Sequence, residues 1–402
     1  MFKKSLAIVV VLLFVSVVLM TMLLGCEDTT QNTTQEEAYV PSFISAKAKN
    51  VLATVKNYAQ IGFLTTPAPL PSDIVVEDFF TIKDRALNNT HIQGLARYKD
   101  YAIVGINGDT EKYESKASVG LLLAIHDTNG LVYNTTTPKH PNNTNEIEYD
   151  VGHISGMQVI GDYLFLVAHC HSYSKWGSTQ MLIVYDLSPL LTENRMELYN
   201  VSLVPNVNNT MCITTVVKDG EEVLAWGNPD GSMLVSKIPK SREEGFEWIE
   251  YKVSADSHER IHDAQSAALV TDDNNEIWLF RFVNLEGGGY PRPLYEDHLY
   301  LGKIEFVGDE IKYTLELNRM FTQGDLSTPD AEVYPAVGLV GLHTAFRFAA
   351  TIQVQPNGEV WTYSSQSVPS TILLKAAKFA PDDYPQNYYM NVYKPAPSEE
   401  SA

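Results

Sequence analysis

Beyond residue 73 the chain alternates short runs of branched and aromatic residues with clusters that favour turns. The clearest apolar runs are Tyr101-Ala-Ile-Val, Tyr163-Leu-Phe-Leu-Val, Val223-Leu-Ala-Trp, Ile277-Trp-Leu-Phe and Val360-Trp-Thr-Tyr. Each follows a turn signal: Lys99-Asp100, Gly161-Asp162, Lys218-Asp-Gly220, Asp272-Asp-Asn-Asn275 and Gln355-Pro-Asn-Gly358. That order predicts the second strand of a hairpin in every case. A third strand is expected after each, at residues 120–125, 181–185, 233–236, 301–306 and 371–375. Residues 248–253 and 311–317 alternate apolar and polar side chains, as outer strands with one wet face should. Before this region, Phe43 to Phe63 has weak helical spacing, and Thr65 to Ser72 is a Pro-rich break.

The first two hairpins repeat one another in letters as well as in shape. His91-Ile-Gln-Gly-Leu-Ala-Arg-Tyr-Lys-Asp-Tyr returns 62 residues later as His153-Ile-Ser-Gly-Met-Gln-Val-Ile-Gly-Asp-Tyr. A strand, a tight turn and a second strand recurring at such a period mark a propeller blade. The expected fold is therefore all-β, a single propeller of five four-stranded blades starting near residues 91, 153, 212, 262 and 345. A sixth blade built from residues 43–90 is the structural alternative. Residues 74–82 read as a spare strand that completes the last blade and closes the ring, leaving no sheet edge open.

The first residues change the picture of where this fold resides. Lys3 and Lys4 precede an uncharged, largely apolar run from Leu6 to Gly25, followed by Cys26. Leu23-Leu-Gly-Cys26 resembles the lipobox of bacterial lipoproteins, which implies acylation of Cys26 and removal of residues 1–25; an uncleaved membrane anchor is the other reading of a run this long. Either reading puts the remainder outside the cytoplasm, in the cell envelope, tethered to a membrane. Residues 26–42 are then a polar tether, 43–395 the propeller and 396–402 a disordered tail. Losing residues 1–25 removes Lys3 and Lys4 and no acid, so the formal charge goes from −20 to −22. Such a chain lacks the clustered cations that nucleic acid requires.

The segment His153-x-x-Gly-Met-Gln-x-x-Gly-Asp-Tyr163, with Val184-Tyr-Asp-Leu-Ser188 after it, resembles a family of secreted bacterial β-propellers with no established activity. The resemblance spans most of residues 85–380 and is best in the second repeat; in the first, Ala96 and Lys99 replace the Gln and the second Gly. It implies a fold and no reaction.

Blade geometry turns the repeat into candidate sites. Innermost strands line a central channel, so His91, His153 and His262, at or just before strand starts, are expected around one mouth. Counting through the Gly161-Asp162 turn sets His153 opposite Cys170. Imidazoles converging there could hold zinc, iron or copper; capping of strand starts is the plainer role for them. Asp150 and Asp263, each near such a His, are the candidate carboxylate pair of a glycoside hydrolase. Tyr173, Trp176, Tyr290 and Tyr295, in loops on the same face, could stack on a sugar or a peptide. Cys170 and Cys212 fall on one face of adjacent blades, where a disulfide or two buried thiols would both fit. The expected function is a lipid-anchored module that binds a protein or carbohydrate ligand on the histidine-bearing face. A metal-dependent enzyme and a glycosidase are the alternatives.

Overall fold

The computed structural model of the chain describes residues 42–67, 91–107, 118–138, 150–151, 153–169, 180–204, 212–227, 232–241, 244–255, 266–285, 296–322, 346, 349–365 and 387–396. An extended segment, 42–50, leads into the short helix α1 (Val51–Lys56) and strand β1 (Tyr58–Pro67). The first sheet is β2 (His91–Tyr98), β3 (Tyr101–Asn107), β4 (Ser118–His126) and β5 (Gly130–Thr136), with β6 (Asp150–Val151) beside β4. The second is β7 (His153–Ile160), β8 (Tyr163–His169), β9 (Gln180–Asp186) and β10 (Glu197–Val204); the short helix α2 (Leu190–Glu193) joins the last two. The third runs through β11 (Cys212–Lys218), β12 (Glu221–Gly227), β13 (Met233–Lys237) and β14 (Ile249–Val253). The fourth is β15 (Ser266–Thr271), β16 (Ile277–Leu285), β17 (Glu296–Val307) and β18 (Glu310–Thr322). A short parallel pairing of β14 with β18 fuses these two into one eight-stranded sheet. In the fifth, β19 (Ala350–Val354), β20 (Val360–Ser365) and β21 (Asn387–Pro395) are completed by β1.

The result is an all-β, propeller-like fold in which each sheet is an antiparallel meander. Its core is not one mass but a set of layers between successive sheets. Met157 and Leu166 meet Ile103 and Leu122 between the first and second. Phe165 meets Ile213 and Trp226 between the second and third, and Leu279 meets Val216 and Ala225 between the third and fourth. Phe280 and Phe282 meet Phe346 and Tyr393 between the fourth and fifth. Tyr363 and Met390 of the fifth then meet Ile92, Leu95 and Val104 of the first, so the series of layers returns to its start. The second strands, such as β3, β8 and β16, are buried on both faces, which is why their sequences read as continuous apolar runs, whereas the outer strands β14 and β18 keep exposed positions.

Four expectations change. Residues 74–82 lie outside the described residues, and the edge of the fifth sheet is taken by β1, paired with β21 from Tyr58↔Pro395 to Pro67↔Asn387. Only residues 51–56 of the stretch read as helical are a helix, because the apolar positions from Tyr58 onward serve strand pairing. The expected third strand at 371–375 also lies outside the described residues; β21 pairs with β20 in that position. The inner strands of the fourth and fifth sheets begin at 266 and 350, a few residues after the starts read from the repeat.

Candidate functional site

His91 and His153 open the inner strands β2 and β7, at one end of adjacent sheets. His91 is in register with Asn107, and His153 with His169. The expected partner of His153, Cys170, is therefore off by one position. A bulge between Ile154 and Gly156 puts two residues against one and shifts the register by that step. Cys212 opens β11 at the same end and is buried. Asp150 sits in β6, paired in parallel with Ser118 of β4, which places it beside the third strand of the first sheet. His262, Asp263, Tyr173, Trp176, Tyr290, Tyr295, Cys170 and Cys26 lie outside the described residues. Among the described residues, no three His, Cys, Asp or Glu side chains come together as a metal site.

The opposite end, where the inner strands finish in their turns, carries a built arrangement. The segment 42–49 crosses it as a strap bonded to four sheets in succession. Asp162 N–H donates to Ser42 O, and Ser42 N–H donates back to the Asp162 carboxylate, both at 2.8 Å. Ser45 N–H donates to Thr215 Oγ1 at 3.1 Å, Ala48 N–H to Thr271 O at 3.0 Å, and Lys49 N–H to Gly358 O at 2.8 Å. Phe43 stacks on Tyr163 with centroids 3.8 Å apart. The repeat motif explains the docking. Gly161 has φ +56°, and a Cβ there would lie 1.9 Å from Ser42 O, so only glycine admits the strap so closely.

The Gln of the motif has an equally specific duty. Gln158 Nε2 donates to Leu269 O at 2.6 Å, while its Oε1 accepts from Ile213 N–H at 3.0 Å and Leu269 N–H at 3.1 Å. One buried amide thus ties β7 to both β11 and β15. Met157 fills the room left by two glycines of the first sheet; a Cβ on Gly94 would stand 2.2 Å from its sulfur. Neither role was assigned from sequence, although both residues belong to the motif.

Beside the strap lies a cavity of about 1120 Å³. Gln158 is part of its lining, together with Arg97, Tyr98, Asp127, Trp361 and Tyr363. Arg97 grips Asp127 through both terminal nitrogens, at 2.8 and 2.6 Å, and its guanidinium lies 5.1 Å from the Tyr363 ring. The Tyr363 hydroxyl donates to Gln353 Oε1 at 3.0 Å, and Gln353 Nε2 donates to Lys99 O at 2.9 Å. Burial pushes the Tyr363 hydroxyl up to about 12, so it stays a neutral donor. Tyr98 donates to Asp162 at 3.0 Å. No pattern in the sequence signals this lining, because its contacting side chains are as much as 266 residues apart.

Asp127 is held by Arg97, and Asp162 by Ser42 and Tyr98. Among the described lining residues Asp100 remains as an exposed carboxylate, and no pair of open carboxylates stands at the spacing hydrolysis needs.

No family model and no curated protein matches the chain. Among solved structures it is similar to a Trypanosoma rangeli sialidase in complex with 2,3-difluorosialic acid, at 12% identity and a TM-score of 0.32 over 77% of this chain and 45% of that one. It is also similar to a Trypanosoma rangeli sialidase at 10% identity and a TM-score of 0.30, over 76% of this chain and 54% of that one. A mutant of that sialidase displaying trans-sialidase activity gives 14% identity and a TM-score of 0.31, over 77% and 45%. The chain thus covers about half the length of these proteins, and likeness at this level carries no inference about its activity.

Proposed function

We propose that this chain is a five-bladed β-propeller, held in the cell envelope by a lipid on Cys26, that binds an extended segment of a partner protein in the cavity beside its strap. The five-blade reading draws on the meander of every sheet and on the return of the inter-sheet layers to the first sheet. The observation that carries the binding reading is the strap itself. This end of the fold already holds one extended chain through backbone hydrogen bonds and an aromatic stack. The first repeat presents a similar turn at the cavity, though with a side chain where Gly161 admits the strap. Lys99, Asp100 and Tyr101 occupy the positions of Gly161, Asp162 and Tyr163, with Lys99 at φ +50°. Asp100 is exposed on the rim of the cavity.

The test is a panel of immobilised peptides, with a panel of glycans beside it, probed with the chain from residue 26 onward and its Asp100→Ala and Trp361→Ala variants. Peptides retained by the parent and lost by both variants support the reading. Retention of glycans alone replaces it with carbohydrate binding, and peptide binding indifferent to both substitutions removes the cavity from consideration. Labelled palmitate incorporated by the full chain in cells and lost in its Cys26→Ser variant tests the anchor.

A metal-dependent activity at the other end has one observation in its favour: His91 and His153 open neighbouring strands. Elemental analysis for zinc, iron and copper, with the His91→Ala/His153→Ala double variant as control, decides it. Near-stoichiometric metal lost in the double variant supports the enzyme; metal absent from both excludes it.

A further inference from the structure

Arg281 lies in β16, in register with Ala267 of β15 and Tyr300 of β17. It shares a strand face with Leu279, two residues earlier, and so points into the layer between the third and fourth sheets. The residue is 2% exposed. Its Nη2 donates to the Tyr313 hydroxyl at 2.9 Å, and its guanidinium carbon stands 5.3 Å from the Tyr300 ring and 5.2 Å from that of Tyr313. Nε and Nη1 are buried and, among the described residues, have no hydrogen-bond partner. Arg97, the other buried arginine among the described residues, shows the contrast, since Asp127 meets its charge with two short bonds.

A guanidinium does not shed its proton, so burial leaves a full charge to be met. The two tyrosine rings meet part of it. The remainder has a defined shape. A guanidinium carries two forks of parallel N–H bonds, one along its side through Nε and Nη2, the other across its end through Nη1 and Nη2. Tyr313 takes one hydrogen of Nη2, and whichever it takes, the fork that does not use that hydrogen stays whole. A whole fork fits the two oxygens of a planar anion.

We propose that Arg281 anchors a carboxylate-binding site between the third and fourth sheets, near the end where the inner strand β15 begins. The carboxylate lies in the open fork, with Tyr313 fixing the plane of the guanidinium and Tyr300 forming a wall. Tyr300 is half-buried and in register with the exposed Asn318. His298 stacks on Tyr300 at 5.9 Å, with its Nδ1 3.2 Å from Asn318 Oδ1.

The test is thermal unfolding of the chain from residue 26 onward in increasing sodium propionate, with ionic strength held constant by sodium chloride. The parent is expected to show a rise in Tm that saturates. Arg281→Met should lose it. Arg281→Lys, which keeps the charge but not the fork, should weaken the apparent affinity by about tenfold or more. Trp361→Ala, at the strap end, should leave the response intact, so the failure of the peptide reading and of this one are separable. An unresponsive parent would mean that an acid of the chain itself meets Arg281, and overturns the proposal. So does an equal response to chloride alone, or an Arg281→Lys variant that responds like the parent. Should Arg281→Met fail to fold, Arg281→Lys decides.

Discussion

Replacing Gln158 by Leu tests whether one side chain holds three sheets together. The substitution keeps the approximate volume and removes both the donor and the acceptor. It leaves the N–H groups of Ile213 and Leu269 and the C=O of Leu269 without the bonds they make at 3.0, 3.1 and 2.6 Å. An orphaned buried polar group costs about 1–3 kcal/mol, and the neighbouring cavity admits some water, so about 1–2 kcal/mol each gives about 3–6 kcal/mol. The unit from Pro41 to Ala402 unfolds with an entropy of roughly 0.75 kcal/mol/K, at about 2.1 cal/mol/K per residue. The expected fall in Tm is then about 4–8 °C, read by calorimetry, with faster amide exchange at Ile213 and Leu269. Gln158→Glu is the informative companion. It keeps an acceptor for both N–H groups but sets a carboxylate against the Leu269 carbonyl. Its deficit should shrink as pH falls and the protonated acid donates as the amide did. A Gln158→Leu protein melting within about 1 °C of the parent, less than one orphaned group should cost, would refute the reasoning.

Gly161→Ala should loosen the strap, because the added Cβ would meet Ser42 O at 1.9 Å; amide exchange at Asp162 and Thr215, whose N–H groups donate to Ser42 and Ser45, should accelerate together, and unchanged rates would count against the docking. Asp127→Asn removes the partner of a guanidinium whose side chain is 3% exposed. A loss of about 3 kcal/mol is expected, and a double-mutant cycle with Arg97→Met should recover most of it; additive losses would contradict the pairing. Tyr363, raised to about 12, is protonated in the folded state at pH values where the unfolded chain has already ionised it. Its contribution is complete below about pH 10 and lost as pH rises towards 12, about 2.7 kcal/mol in all. Tyr363→Phe should flatten that part of the alkaline unfolding curve, and an unaltered slope would contradict the burial.

How much of this was readable from the chain differs from element to element. The hairpins were legible because Lys99-Asp100, Gly161-Asp162 and Gln355-Pro-Asn-Gly358 are turn signals whose meaning is local. The fifth sheet was only half legible. Its edge comes from Tyr58–Pro67 and its third strand from Asn387–Pro395, and no local pattern says that these two stretches pair. The bulge after Ile154 was invisible too, and it moved the partner of His153 from Cys170 to His169.

The sequence by itself determined the period, the turns and the two-sided apolar strands, because those depend on neighbours along the chain. It also set the motif letters, Gly161 and Gln158 among them, without their reasons. Tertiary structure alone decided that Gly161 admits a strap, that Gln158 spans three sheets, and that Arg97 has an acid while Arg281 has tyrosines. Those outcomes rest on contacts between residues as much as 309 positions apart along the strap, from Lys49 to Gly358, 111 for Gln158 and 32 for Arg281. Burial of a polar group is decided by what the fold brings to it, and no spacing in the chain records that.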